Sequence, residues 1–595
     1  MRVIIETKNE RGQRIPCTIH LKDKEERCFS RGWYTDYEWI YSSGRAVFEV
    51  EGAAFPLRVI VRRGARCREI VDEIGEEACG DSQEVVREYS LQRWDKGILE
   101  GWFCGDAHNH VARSEKVEDF RTMWDAAEVA AAEGLDFVGL GSPWTRTHHV
   151  KYRDSIGRPL EAITEDERVK GKSVPEICEE ISQKGIVLAI PGNEFIKTRF
   201  AHLFLFGGNI DEDYWRYYDD VFDFWQCSRS RRVREQEPEY RLRPIYEILT
   251  DERYCWGARV YAHPTSWWYE PEAGFVTNIA ATLPFDTLVG PLYDAIVVMG
   301  YEPERREYQE LWYELLNRGY RITAVSELDA CFDNRRSFCN RPLVLTYCHI
   351  GDDVIGAKTI AEAVKKGKTF VSSGPLLDIR EEGKTVIGAV LPSDGQERKW
   401  SLFGDYQMRS SDGISRVQLI RNGKILREWR PCGSFEESIT ICEREDSWYV
   451  MKVYGKEEKR ELALSSAVYF RRDLKHPFSG PVMTPFEIRG GRNQVLGCRV
   501  HDFATGKEKT YWGKERVEFE ATAACTIEVF DREAGKKIRE VRPFFDHKPI
   551  WDHARHLYLG RFIRKELACG EVPVEAFRIG ELRDILLRKM IFHVS

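Results

Sequence analysis

The chain of 595 residues lacks the features that mark several large classes of protein. No uncharged apolar run approaches the roughly 20 residues that a membrane-spanning helix needs. The first residues, Met1–Lys8, lack the apolar core and cleavage site of a secretory signal. The net charge is -8 with both signs interspersed, so there is no basic stripe of the kind that binds nucleic acid. We therefore expect a cytoplasmic protein that contacts neither membrane nor nucleic acid.

Cysteine is present but unpatterned. The 16 cysteines are scattered, with no CxxC pair and no repeating framework. Such spacing disfavours a disulfide scaffold or a sulfur-rich zinc module and favours reduced, mostly buried thiols. The sequence also has no internal repeat and no low-complexity tract, and its length is enough for about three or four domains.

The strand and helix patterns divide the chain into four parts. Residues 1–90 read as an N-terminal β-sandwich-like domain, in which Ala46–Val50 and Leu57–Val61 look like one strand-turn unit. Residues 91–376 alternate apolar strands with helices and carry an insertion around 211–255, which reads as an active-site lid or as a solvated packing helix. Residues 377–475 predict a second β-sandwich-like domain, and residues 476–595 a β-rich segment with a terminal helix.

Individual elements are also predicted. Helices are expected at 117–134 and 308–318, each ending at a glycine. Asn422-Gly423 marks a tight hairpin, Cys525–Phe530 is a clear strand, and Ile579–Met590 reads as an amphipathic helix that closes the chain. For residues 91–376 the alternation implies an α/β fold with a largely parallel sheet, which carries its chemistry at the strand ends.

The most informative motif is Gly105-Asp106-Ala107-His108-Asn109-His110. Two imidazoles one residue apart at the end of a probable strand can face a single metal ion, although one such pair by itself is more often a coincidence.

Further ligand-capable side chains border apolar runs. Glu194 follows Val187–Ile190, His202 precedes Leu203–Phe206, His263 follows Val260–Ala262, and Asp329 follows Ile322–Val325. A histidine before proline can be a turn residue, and an aspartate after a strand can be a helix N-cap. Their common position at strand ends nevertheless favours a metal site, dispersed and rich in nitrogen and oxygen as open catalytic sites are.

Two stretches resemble the polymerase-and-histidinol-phosphatase (PHP) superfamily of metallohydrolases, in particular its CehA/McbA-like branch. They are Arg93-Trp94 with Gly101–His110, and Lys368–Pro375. The resemblance implies a distorted (β/α)7 barrel flanked by β-sandwich-like domains. It implies that His108, His110, Glu194 and Asp329 hold a first ion.

Glu194 would bridge to a second ion, completed by His202 or His263 or both. The resemblance also identifies departures. Gly141–Trp144 stands where the family has an Asp-His pair, and Cys331 stands where it has a histidine. A third histidine is absent near Lys116. In three-metal members these residues serve the third ion, so we expect two ions or one, unless Cys331 or His148-His149 fills the vacancy.

The expected activity is hydrolysis by a metal-bound hydroxide, with Asp106 and Glu194 as the catalytic carboxylates. Asp106 would shuttle a proton or accept a hydrogen bond from a ligand imidazole. Its alternative role is to cap the loop. The ions could be zinc, manganese or iron.

The substrate is expected to be a small molecule. The first prediction is a phosphomonoester or phosphodiester, because arginines in strand-end loops could bind a phosphate group. Tryptophans after His263 could stack on a ring of the same substrate. The predicted substrate-binding residues are Arg146, Arg199, Arg335, Trp267 and Trp268. Carboxylic or carbamate esters are the alternative, and a non-catalytic carbohydrate- or ligand-binding protein is a second one. Whether the chain forms a homo-oligomer is left open.

Overall fold

The computed structural model describes residues 1–30, 38–78, 84–95, 97–110, 122–140, 167–169, 172–192, 202–208, 245–252, 255–270, 275–278, 280–300, 304–331, 343–533, 535–558 and 573–594. Over these residues the protein is a mixed α/β structure in which strands outnumber helices. The expected mixture of strand and helix is therefore present.

The N-terminal strands form two sheets on one apolar core. The strands are β1 (Arg2–Lys8), β2 (Cys17–Lys22), β3 (Trp39–Ser42), β4 (Arg45–Glu49), β5 (Leu57–Arg62), β6 (Ile70–Ile74) and β7 (Glu84–Ser90), with a 3-10 turn at Glu76–Ala78. Their orders are β4-β1-β7 and β3-β2-β5-β6. Side chains such as Val3, Ile19 and Val59 from both sheets share the core.

One expectation for this part was wrong. Ala46–Val50 and Leu57–Val61 both contain strands, but these strands do not form one strand-turn unit. β4 pairs with β1, whereas β5 pairs with β2 and β6 in the other sheet. Local alternation locates each strand but does not choose its partner, and here the chain crosses between sheets after β4.

The middle of the chain contains mostly short, buried strands. They are β8 (Trp102–Asp106), β9 (Asn109–His110), β10 (Phe137–Leu140), β11 (Leu188–Pro191), β12 (Leu203–Phe206), β13 (Ala258–Tyr261), β14 (Trp267–Glu270), β15 (Phe275–Asn278), β16 (Ala295–Gly300), β17 (Thr323–Glu327), β18 (Ala330–Cys331), β19 (Leu345–His349) and β20 (Thr369–Ser372). One sheet contains β11-β10-β8-β19-β20 and another β12-β13-β16-β17. β8, β10 and β11 are parallel to each other, as are β13, β16 and β17. Every residue of β10, β12 and β16 is buried, as in sheets covered on both faces.

Helices follow these strands: α1 (Met123–Ala132), α2 (Val174–Gln183), α3 (Ile245–Leu249), α4 (Leu283–Val289), α5 (Arg306–Asn317) and α6 (Ala357–Lys365). Thr122 and Asp125 form a reciprocal capping box that begins α1. Gly134 and Gly319 follow α1 and α5 at φ of 77° and 85°, a region that glycine enters without steric cost. The predicted helices at 117–134 and 308–318 are confirmed over the residues described, with 117–121 outside them.

The rest of the chain is largely sheet. Its strands are β21 (Leu376–Glu381), β22 (Lys384–Thr385), β23 (Val390–Pro392), β24 (Glu397–Asp405), β25 (Ile414–Arg421), β26 (Lys424–Trp429), β27 (Phe435–Cys442), β28 (Ser447–Gly455), β29 (Leu462–Ser465), β30 (Val468–Arg471), β31 (Thr484–Arg489), β32 (Val495–Asp502), β33 (Lys507–Lys514), β34 (Arg516–Ala521), β35 (Cys525–Asp531), β36 (Lys537–Val541) and β37 (Met590–His593). Its helices are α7 (Pro543–Asp546), α8 (Lys548–Tyr558) and α9 (Ile579–Leu586), with a 3-10 turn at Val574–Phe577. The sheet of β8 continues from β20 through β29-β28-β25-β26, so one sheet crosses the predicted boundary at 376/377.

The predicted hairpin at Asn422-Gly423 and the strand at Cys525–Phe530 are confirmed. The closing helix at Ile579–Met590 was wrong in its extent. α9 ends at Leu586, and the chain then forms β37, which lies parallel to β31. Met590 and Phe592 alternate inward to the core, a period of two that a helix would not produce.

No helix within the described ranges is both long and apolar enough to cross a membrane.

Candidate metal centre

The strand directions bring four elements to one edge of the sheets. His108 follows β8, His263 follows β13, and Glu327 ends β17 with Asp329 two residues later. His202 immediately precedes β12, which runs antiparallel to β13 so that Leu203 pairs with Tyr261. The start of β12 therefore lies beside the end of β13, and His202 joins the same edge.

The side chains at this edge are in close contact. Nδ1 of His108 lies 2.8 Å from Oε2 of Glu327, and Nε2 of the same ring lies 3.5 Å from Oδ1 of Asp329. The ring of His263 is 5.6 Å from that of His108 and 5.2 Å from that of His202, between centroids. His108, His202 and Glu327 are fully buried and His263 is nearly so. A buried cluster of imidazoles and carboxylates therefore exists here.

Asp106 holds two of these loops together. One carboxylate oxygen accepts the N–H of His108 and the other accepts the N–H of Leu328, each at 3.0 Å. Burial raises the pKa of this carboxyl well above its ordinary value. The N–H of Ala330 also donates to the carbonyl of His108, at 3.3 Å. In these contacts Asp106 caps and connects the two loops, which is the alternative role that the sequence suggested for it.

Two candidate ligands have unusual backbone conformations. His263 has φ of 24° and Asp329 has φ of 45°, in a region that non-glycine residues rarely occupy. Such positions cost on the order of 1–3 kcal/mol and concentrate at functional sites. The N–H of His263 donates to Glu327, at 3.1 Å from Oε1 and 3.3 Å from Oε2, which holds this turn.

The donor set fits a divalent ion. Two ligand atoms about 2.1 Å from a tetrahedral ion are about 3.4 Å apart. The 3.5 Å between Nε2 of His108 and Oδ1 of Asp329 matches this separation. His108, His263 and Glu327 also each offer an atom within 4.8 Å of the others. Phe204 stacks on the His108 ring at 4.8 Å between centroids and forms an apolar wall.

The other predicted residues are placed less completely. The backbone of His110 lies in β9 and pairs with Cys331 in β18, but neither side chain is among the described residues. Trp267 and Trp268 begin β14, again without described side chains. Several residues named in the sequence analysis lie wholly outside the described part of the chain: Glu194, Arg146, Arg199, Arg335, Lys116, Gly141–Trp144, His148 and His149.

Glu327 is the functional candidate that the sequence pattern missed. It touches His108 by its side chain and His263 through the main chain. Its signal was an acidic residue two positions after the run Ile322–Val325, where an unpartnered charge in a buried strand would be costly.

Comparisons with known proteins give no family. No family model matches the chain, and no curated protein matches it. The CARDB domain of PF1109 from Pyrococcus furiosus, a solution structure, is 11% identical with a TM-score of 0.13, over 17% of this chain and 95% of that one. Fibronectin(III)-like modules of CbhA from Clostridium thermocellum are 10% identical with a TM-score of 0.11, over 27% of this chain and 90% of that one. Scores this low carry no argument about fold or function.

Proposed function

We propose that this protein is a metal-dependent hydrolase of the PHP type. The observation that carries the proposal is the buried cluster at one sheet edge. Nε2 of His108 and Oδ1 of Asp329 lie 3.5 Å apart there, close to the separation of two ligand atoms on one ion. His202 and His263 lie beside them. These residues are far apart in the chain and each borders an apolar run, so their proximity in space supports a shared site.

The proposed barrel has support from the sheet edges. β11 contacts β12, and β17 contacts β19 and β20, so the two sheets of the middle segment approach each other on both sides. A ring of strands closed in this way would resemble the distorted barrel expected of a PHP protein. Its flanking sheets would be the β-sandwich-like domains predicted on either side.

Each residue then has a defined task. His108, His110, Glu194 and Asp329 would hold one divalent ion, and Glu194 would bridge to a second, completed by His202 or His263 or both. When bound, such an ion lowers the pKa of a coordinated water and supplies a nucleophile near neutral pH. Asp106 fixes the loops that carry His108 and Leu328, so that the ligand atoms keep their spacing. Phe204 excludes water from one face of His108.

Phosphomonoesters and phosphodiesters are the proposed substrates. This choice follows the PHP resemblance and the predicted phosphate clamp of Arg146, Arg199 and Arg335, with Trp267 and Trp268 as the predicted stacking wall. A carboxylic or carbamate ester would use the same nucleophile, so a substrate panel must include both classes.

The test measures ion content and hydrolysis together. Protein purified without chelator, and protein reconstituted with zinc, manganese or iron, is compared with His108→Ala, His263→Ala and Asp329→Asn. His476→Ala, in an exposed loop, is the matched control. We expect about two ions per chain in the wild type and the control, fewer in the site variants, and phosphoester hydrolysis that falls with the ions.

Other outcomes decide against parts of the proposal. Bound ions with cleavage of carboxylic or carbamate esters alone would keep the metallohydrolase and overturn the phosphoesterase. Absence of ion binding after reconstitution would overturn the hydrolase and leave the ligand-binding alternative.

A further inference from the structure

The carboxylate of Glu327 contacts two candidate ligands at once. Oε2 accepts from Nδ1 of His108 at 2.8 Å, and the two oxygens lie 3.1 and 3.3 Å from the main-chain nitrogen of His263. The side chain is fully buried at the end of β17. A single group therefore constrains both the ring of one histidine and the turn that carries the other.

The contact with His108 specifies the tautomer. A carboxylate only accepts hydrogen bonds, so Nδ1 must carry the proton that it donates. In a neutral ring, Nε2 then keeps its lone pair, and Nε2 is the nitrogen that faces Asp329. Glu327 thus leaves the ligand atom of His108 ready to bind an ion.

The same geometry would separate Glu327 from an ion held between Nε2 of His108 and Asp329. The two ring nitrogens of an imidazole point in different directions. Glu327 lies on the Nδ1 side and Asp329 on the Nε2 side, so an ion shared by Nε2 and Asp329 would lie across the His108 ring from the Glu327 carboxylate.

We infer that Glu327 is a positioning residue that fixes the tautomer of His108 and the backbone turn of His263, and acts on a bound ion through them. This inference rests on the proposed metal-dependent function. Carboxylates placed behind ligating histidines typically change metal affinity 10- to 100-fold when they are replaced.

Glu327→Gln is the informative variant because it keeps the size of the side chain. The amide has one accepting oxygen and one donating nitrogen, whereas both partners of Glu327 are donors. Either Nδ1 of His108 or the N–H of His263 must then face the NH2 group. If Nδ1 does, the ring has to move its proton to Nε2, which blocks the ligand atom. The matched control is Glu443→Gln, a buried carboxylate bonded to Arg421 and remote in sequence from the site.

Two readouts test the inference. Competition against a chelator measures ion affinity in the wild type, Glu327→Gln, His108→Ala and the double variant. We expect roughly 10- to 100-fold weaker binding in Glu327→Gln and unchanged binding in Glu443→Gln. When Glu327→Gln is added to His108→Ala, we expect a smaller further loss, because only the contact with the His263 main chain remains to be changed. Nitrogen-15 NMR of ion-free protein labelled in histidine measures the tautomers, and one Nδ1–H ring in the wild type should be lost in His108→Ala and altered in Glu327→Gln.

The outcomes separate this inference from the proposed function. Unchanged affinity and an unchanged tautomer in Glu327→Gln would overturn the positioning role. Loss of one ion per chain in Glu327→Gln, with the tautomer of His108 unchanged, would make Glu327 a ligand and also overturn it. If the wild type binds no ion, the proposed function fails, while the NMR comparison still decides whether Glu327 sets the tautomer of His108.

Discussion

Nη1 of Arg66 lies 2.7 Å from Oδ2 of Asp136, and the same oxygen accepts the N–H of Cys104 at 2.9 Å. Arg66 also bonds the fully buried carboxylate of Asp95. Arg66 belongs to the segment after β5, whereas Cys104 lies in β8, four residues before His108. These hydrogen bonds therefore connect the N-terminal sheets to β8, the strand that precedes His108 of the candidate metal centre.

Replacement of Arg66 by leucine should destabilise the protein strongly. The variant removes the buried guanidinium that Asp95 and Asp136 share, while Asp95 keeps its contact with the half-exposed Arg93. Loss of one partner from a buried ion pair costs about 3–5 kcal/mol. The free energy of unfolding, measured in denaturant, checks this. Arg68→Leu, two residues along and exposed, should lose less than about 1 kcal/mol, as surface pairs do. Equal losses in the free energy of unfolding in the two variants would show that the buried ion network contributes no more to stability than an exposed arginine does.

Replacement of Asp106 should loosen the metal centre. Asp106→Ala leaves the N–H groups of His108 and Leu328 without their acceptor, at about 1–3 kcal/mol for each buried group. Asp106→Asn keeps one acceptor and turns an NH2 group toward the other donor. Both variants should unfold more easily in chelator and bind zinc or manganese more weakly. If ion affinity and stability stayed at wild-type values while hydrolysis disappeared, Asp106 would be a proton-transfer group instead.

The sequence was sufficient to locate four members of the site. His108, His202, His263 and Asp329 each border an apolar run, and strand ends are recognisable from local pattern. It was not sufficient for Glu327, because local pattern does not say which partner a buried strand-end carboxylate will meet. That partner, His108, is 219 residues away in the chain.

Strand pairing set the other limit. The pairing of β20 with β29, which carries one sheet across position 376, joins segments about 90 residues apart. Nothing local to Thr369–Ser372 encodes that partner. The same holds for β37, whose parallel pairing with β31 depends on a strand some 100 residues earlier. Local sequence pattern predicted the individual strands and helices, whereas the pairing of one strand with another depended on the packing of the whole chain.

The hairpin between β25 and β26 should be sensitive to one methyl group. Asn422 and Gly423 have φ of 50° and 80°, the left-handed conformation of a tight two-residue turn. A Cβ on Gly423 would meet no atom closer than 3.8 Å, so Gly423→Ala is penalised by backbone conformation alone. We expect a loss of about 1 kcal/mol in the free energy of unfolding. Gly480→Ala, exposed and without positive φ, should be close to neutral; similar losses at both positions would argue against a conformational cause.

His553 should make the protein acid-sensitive. Its ring is buried in α8, its Nε2 lies 3.3 Å from the carbonyl oxygen of Arg578, and burial lowers the pKa of the imidazole to about 4. An unfolded histidine titrates near 6.5. Between these two values the unfolded chain binds a proton that the folded chain does not, so stability falls as pH falls through this window. The full difference is about 3 kcal/mol, at about 1.4 kcal/mol for each pKa unit.

The comparison that isolates this effect is the free energy of unfolding from pH 7.5 to 4 for the wild type and His553→Gln. Carboxylates titrate in both proteins and cancel in the difference between the two curves. The glutamine variant lacks the ionising ring, so the wild type should lose more stability than the variant below pH 6.5, with the gap widening toward pH 4. Parallel curves over the whole range would mean that the folded protein accommodates a charged His553, against the desolvation that its burial in α8 implies.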